Sequence, residues 1–136
     1  MVRLDDTGIT GFDTSDGSDA PPHWLVYIAV PDSVEAAVAR ALSNGATVVR
    51  PAQDLHGIGR YAVLRDPDGA VFAAFDPSEP GEESAPSWPP APGAFSWYAI
   101  AGTDLATTAG FYADVFGYDR PDPAEEFSII NTPVLT

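Results

Sequence analysis

Two imidazoles are the side chains best suited to carry a proton or grip a metal near neutral pH, and this chain sets them in unlike company. His56 stands two residues after Asp54 in the run Asp54-Leu55-His56-Gly57-Ile58-Gly59-Arg60, where glycines leave the backbone free to fold over a ligand. The bland alternative is a solvated loop histidine, and residue type alone favours it. His23 follows Pro21-Pro22 at the head of an apolar run. With no second histidine or glutamate nearby, it reads as an exposed or structural residue rather than a metal ligand. The doublets Asp5-Asp6, Glu82-Glu83 and Glu125-Glu126 fall in hydrophilic turns and linkers, where nothing would move their pKa values toward acid-base work. Cysteine is absent, which excludes disulfides, thiolate metal sites and cysteine nucleophiles. No Gly-x-Gly-x-x-Gly, Gly-Lys-Ser/Thr, Gly-x-Ser-x-Gly or His-Glu-x-x-His string occurs either.

The elements that must position these groups repeat. An apolar strand, Trp24 to Val30, runs into Pro31-Asp32 and a helix that closes at Gly45; a second, Phe95 to Ala101, runs into Thr103-Asp104 and a helix that closes at Gly117. Aspartate and glycine stand thirteen residues apart in both copies. Repetition of one β-α unit predicts a fold assembled from paired modules, with function in the groove between them. In the first helix Val34, Ala37, Val38, Ala41 and Leu42 make one apolar stripe, and Asp32 with Glu35 reads as a capping box. In the second, the stripe is Leu105, Thr108, Ala109, Tyr112, Val115 and Phe116, capped by Thr103 or Asp104.

Between the copies, Thr47-Val48-Val49, a loop at Pro51, Tyr61-Ala62-Val63-Leu64, the tight turn Asp66-Pro67-Asp68-Gly69 and a strand from Ala70 to Phe75 complete a β-α-β-β-β module over 23–76. Residues 77–93 hold six prolines and read as a semi-rigid linker, with Trp88 as a lid or packing anchor. A hairpin over 1–12, in which Val2-Arg3-Leu4 and Ile9 to Phe12 flank Asp5-Asp6-Thr7-Gly8, and a loop over 13–22 precede the module. Residues 94–136, with a strand at Phe127 to Ile130, supply the first half of another. The two chain ends are expected to meet, within one chain or across a homodimer, and to complete the second module; the rival account is the middle of a longer two-domain protein.

Twenty acidic residues face six arginines and no lysine, for a net charge of −14. Such a surface repels nucleic acid and anionic lipid. No apolar run reaches the roughly 18 residues of a membrane span, and the N-terminus lacks a secretory signal, so a cytoplasmic protein is the default expectation.

The ordered set of Pro31-Asp32 with its alanine-rich helix and Gly45, Gly57-Ile58-Gly59-Arg60, Asp66-Pro67-Asp68-Gly69, and Phe111-Tyr112-Ala113-Asp114-Val115-Phe116-Gly117-Tyr118 resembles the vicinal oxygen chelate superfamily of glyoxalases, bleomycin-resistance proteins and extradiol dioxygenases. The resemblance implies an α+β fold of paired β-α-β-β-β modules whose mixed sheet curls into a U around a small-molecule cleft. It also implies where metal-using members carry ligands: the matching positions are Leu25, Ala73 and Trp97, none of which has a donor atom for a divalent cation. A two-residue slip would bring His23 toward the first of them. No metal and no other cofactor is expected.

What remains is an apolar cleft. Strand alternation groups Leu25, Tyr27 and Ala29 on one side, with Val71, Ala73 and Phe75, and with Phe95, Trp97 and Ala99; Trp24, Val26, Ile28, Tyr98 and Ile100 turn toward the helices. Leu25, Tyr27, Ala73, Phe75, Phe95 and Trp97, with His56 over them, are the expected ligand-binding residues, and Tyr27 offers a hydroxyl to orient the ligand. The expected function is metal-independent binding of a small apolar or aromatic molecule. A metal-dependent lyase, isomerase or dioxygenase with ligands outside this chain, and a non-catalytic interaction module, are the alternatives.

Overall fold

A computed structural model of the chain describes residues 2–4, 7–12, 21–79, 90, 92–93 and 98–120. Phe95, Trp97, Trp88, the three carboxylate doublets and the strand expected at 127–130 lie outside them. The chain divides into two compact units, Met1–Trp24 with Ser84–Ile100, and Leu25–Glu83 with Ala101–Thr136. In the first, β1 (Val2–Leu4) and β2 (Thr7–Thr10) pair as an antiparallel hairpin with a register shift between Val2 and Arg3. His23 is exposed there, its Nδ1 2.7 Å from the Pro21 carbonyl.

The second unit is α+β. Strands β3 (Tyr27–Ala29), β4 (Thr47–Leu55), β5 (Gly59–Arg65) and β6 (Val71–Pro77) form one mixed sheet in the order β3-β6-β5-β4. β3 runs parallel to β6, and the other two pairings are antiparallel. Helix α1 (Val34–Ser43) crosses from β3 to β4, and α2 (Leu105–Phe116) packs beside it. Among the described residues no helix is long and apolar enough to cross a membrane.

Alternation along β5 and β6 divides the sheet into two faces, because Leu64 pairs with Phe72 and Ala62 with Ala74 on one side while Val63 pairs with Ala73 and Tyr61 with Phe75 on the other. The first face is the helix-packed core. Phe72 lies edge-on or tilted against Phe111, Tyr112 and Phe116 of α2, with centroids 5.4–6.1 Å apart. Val34, Ala37 and Ala41 of α1 are fully buried, and removal of the Val34 side chain from water contributes about 1.5–3 kcal/mol.

Side-chain oxygens fasten α2 across long stretches of chain. Asp68 accepts from the hydroxyls of Thr103 (2.6 Å) and Thr108 (2.7 Å), and buried Asp66 accepts from the Tyr112 hydroxyl (3.0 Å) and the Ala70 amide (2.8 Å). Thr108 and Tyr112 lie one turn apart, so the Asp66-Pro67-Asp68-Gly69 turn grips a single stripe of the helix. Gly102 lies against this grip: a Cβ there would stand 1.9 Å from the Thr108 hydroxyl. At the opposite end of α2, the Arg40 Nε donates to the Val115 carbonyl (3.0 Å), one of the last-turn carbonyls that the helix leaves without an internal partner.

Several sequence expectations are corrected. The capping box does not form: Ser33 is the α1 N-cap, its hydroxyl accepting from the Ala36 amide. Asp32 is instead held by a two-pronged Arg40 contact (2.7 and 2.9 Å) and Glu35 by Arg60 (2.7 Å), since a guanidinium outcompetes a neutral amide for a carboxylate. Leu42, assigned to the buried stripe, is 49% exposed. Pro51 lies within β4 rather than in a loop, tolerated because β4 is an edge strand with register shifts on both sides of Arg50. Residues 98–101, expected to end a strand, carry no strand structure.

Two outcomes follow from these contacts. Tyr112→Phe leaves the buried Asp66 carboxylate short of a donor and should lower unfolding free energy by about 1.5–3 kcal/mol in urea titration, with secondary structure retained. The Arg40 contact holds Asp32 at about 2, that of Arg60 holds Glu35 below its ordinary value, and hydroxyls of Thr103 and Thr107 do the same for Asp68 and Asp104. Groups depressed in the folded state lend stability above their unfolded values, near 4, and lose it as pH falls through the folded ones. The urea midpoint should therefore be flat near neutrality and drop between about pH 4 and pH 2.

Candidate functional site

The face turned away from the helices collects most of the expected site. Register places Tyr27 beside Ala73 and Ala29 beside Phe75, while Val63 and Tyr61 flank Ala73 and Phe75 from β5. Tyr61, Val63 and Ala73 form the buried centre, against which Leu25, Leu55, Val71 and Phe75 pack. Tyr27 remains 43% exposed, its ring 5.8 Å from both Tyr61 and Phe75 and nearly perpendicular to the latter. Edge-to-face geometry of this kind sets one ring's positive edge on another's negative face. The wall is thus an apolar floor with an aromatic rim.

One polar group breaks it. The Tyr61 hydroxyl receives hydrogen bonds from Arg50 Nη1 (3.2 Å) and from the Gln53 side-chain amide, both on β4. Their register explains the meeting, since Gln53 pairs with Tyr61 and Arg50 with Val63. None of the three was among the residues picked from sequence as site residues. Alternation in Tyr61-Ala62-Val63-Leu64 could have put Tyr61 on this face, but reading a loop at Pro51 removed the strand that carries its two partners.

His56 stands elsewhere, at the tip of the β4–β5 hairpin. It has φ +32° and Gly57 φ +76°, and the Ile58 amide closes the turn on the Leu55 carbonyl at 2.7 Å. It is exposed and is not packed with the aromatic wall. Beside the tip, Asp54, Gly57, Gly59, Arg60, Asp76, Pro77 and Ser78 line a hollow of about 500 Å³. Its one guanidinium, Arg60, is held between Glu35 and Asp54. Those pairs make the hollow a salt-bridged corner. Gly59 joins hollow and wall: a Cβ there would come within 2.4 Å of the Asp76 carbonyl and 2.6 Å of the Phe75 ring, so the ring's seat depends on a missing side chain.

A divalent cation does not fit the described part of the wall. Leu25 and the fully buried Ala73 occupy the positions matched to ligands in metal-using members, and they offer no donor atom. His23 precedes β3 and engages Pro21, outside the strand ladder. Among the described residues no three histidine, aspartate or glutamate side chains gather as a metal-binding group.

The family model of the glyoxalase-like domain matches residues 6–75. "Putative glyoxylase CFP32" of Mycobacterium tuberculosis is 43% identical over 58 residues, covering 43% of this chain and 22% of that protein. "Anthracycline biosynthesis protein DauV" of a Streptomyces species is 30% identical over 126 residues, 88% of this chain and 44% of the relative. "Anthracycline biosynthesis protein DnrV" of Streptomyces peucetius is 29% identical over 108 residues, 79% of this chain and 38% of the relative. The chain spans less than half the length of each.

Filling the space above Gly59 tests its role directly. Gly59→Ala must displace the Phe75 ring or the β6 backbone, and should cost about 1–3 kcal/mol in equilibrium unfolding. Gly11→Ala, with open space around its Cβ, is the control, expected to fall within about 0.5 kcal/mol of the parent.

Proposed function

Because the chain belongs to the glyoxalase-like domain family of the vicinal oxygen chelate superfamily, its function has to be sought in what this member places on its sheet, and we propose metal-independent binding of a small aromatic molecule. The observation that carries this reading is the chemistry of the wall. Positions matched to metal ligands hold Leu25 and Ala73, and the surrounding side chains are Tyr27, Tyr61 and Phe75. Such a surface gains from burying a flat ring system and has no group in it to generate a metal-bound nucleophile. Of the residues expected from sequence, Leu25, Tyr27, Ala73 and Phe75 are the contact surface of this reading. Two relatives named for anthracycline biosynthesis support a planar fused-ring aromatic as the ligand class.

A second reading, metal-dependent turnover, draws on the relative named as a glyoxylase. It requires donor residues beyond those described, because the positions matched to ligands, Leu25 and Ala73, supply none. Binding without turnover needs only the groups already in contact.

2-Naphthol is a neutral two-ring probe for the first reading. At about one hundred times its dissociation constant it should stabilise the native state by about 2.7 kcal/mol, read as a rise in melting temperature. Tyr27→Ala should weaken it by about 1 kcal/mol, roughly fivefold. No shift with 2-naphthol, together with stoichiometric divalent metal by elemental analysis of the purified protein, would overturn this reading in favour of the second.

A further inference from the structure

Strand alternation carries the aromatic wall one step past its buried centre. Tyr61 and Val63 of β5 face it, so Arg65, two residues on, stands on the same side, paired in register with Val71 of β6. Val71 packs against the centre formed by Tyr61, Val63 and Ala73, and Arg65 is exposed beside it. Two residues of strand span about 7 Å, which a guanidinium and a ring substituent bridge readily. One end of the apolar floor is therefore cationic.

This cation is not neutralised by the protein's own acids. Among the described residues its hydrogen bond runs from Nη1 to the Gly69 carbonyl (3.1 Å), and none of the ion pairs includes it. Arg40, Arg60 and Arg120 each hold a carboxylate. The two acids of the adjoining turn face the helix side, Asp66 accepting from the Tyr112 hydroxyl and the Ala70 amide, Asp68 from the hydroxyls of Thr103 and Thr108. A guanidinium presents five N–H donors in a planar fork that matches a carboxylate, and one bond to a peptide carbonyl leaves most of that fork open. The chain carries −14 overall, a field that disfavours anions, so a local cation decides where one can settle.

We propose that Arg65 is the specificity-determining residue of the wall: it recognises a carboxylate on the edge of an aromatic ligand whose ring lies over Val63, Val71 and Ala73. The inference rests on the aromatic-binding reading above and adds to it the ligand's charged substituent. A purely structural role, in which Arg65 only fastens the β5–β6 turn through Gly69, would alter stability without discriminating between charged and neutral ligands.

Two probes with one ring system separate these roles. Isothermal titration of the full chain at pH 7 with 2-naphthoate and with 2-naphthamide should give about tenfold tighter binding of the anion, equivalent to about 1.4 kcal/mol. Arg65→Gln should bring the ratio of the two affinities to within about twofold of unity while leaving 2-naphthamide binding unchanged, with circular dichroism reporting a folded protein. Arg120→Gln removes the same unit of charge from a guanidinium bonded to Asp114, and should keep the parent's preference. Equal binding of both probes by the parent chain, a preference unchanged in Arg65→Gln, or one lost equally in Arg120→Gln overturns this inference and leaves aromatic binding standing. Failure of both probes and of 2-naphthol to bind overturns the two together.

Discussion

The seven-rung ladder between β5 and β6 is the constraint on which the rest depends. Because side chains alternate along a strand, each rung commits one pair to the helices and the next to the opposite face. Phe72 and Leu64 join the core under α1 and α2; Ala73 and Val63, one rung away, join the aromatic wall. A one-residue slip would exchange the two sets, moving Phe72 out of its three ring contacts and sending Tyr61 under a helix. Core and candidate site are therefore specified by one register.

Much of this was legible in the residues. The order β3-α1-β4-β5-β6, the tight turn at Asp66-Pro67-Asp68-Gly69 and the Asp104 and Gly117 boundaries of α2 follow from local chemistry, in which aspartate caps, proline presets a turn and glycine takes a left-handed stop. The grouping of Leu25, Tyr27, Ala73 and Phe75 follows from period-two alternation and agrees with the register observed. What stayed hidden depends on partners distant in sequence. No local signal says that Glu35 will reach Arg60, 25 residues on, instead of its own cap, or that Asp68 will meet Thr108, 40 residues on. Pro51 misled for a related reason. Proline excludes a central strand, but whether β4 is central or at an edge is a property of the sheet.

The Arg50–Gln53–Tyr61 corner belongs to the same class of hidden feature. Each residue is unremarked alone, and the bulges that shift Arg50 and Gln53 into register with Val63 and Tyr61 create the cluster. Bulges re-aim side chains, and here the disruption in β4 sets a guanidinium and an amide over a phenol. In the salt-bridged hollow beside the hairpin tip, Arg60 is neutralised by Glu35 and Asp54, so it braces α1 against the sheet.

The attachment of α2 has a consequence for how this architecture can vary. Its hold on the turn runs through Asp66, Asp68, Thr103, Thr108 and Tyr112, side chains separated by up to 46 residues of chain. The entropic cost of closing a loop grows only with the logarithm of its length, about 0.6 kcal/mol for each doubling. A change in the length of chain leading up to Gly102-Thr103-Asp104 therefore costs the helix little, provided those three residues return to the same turn.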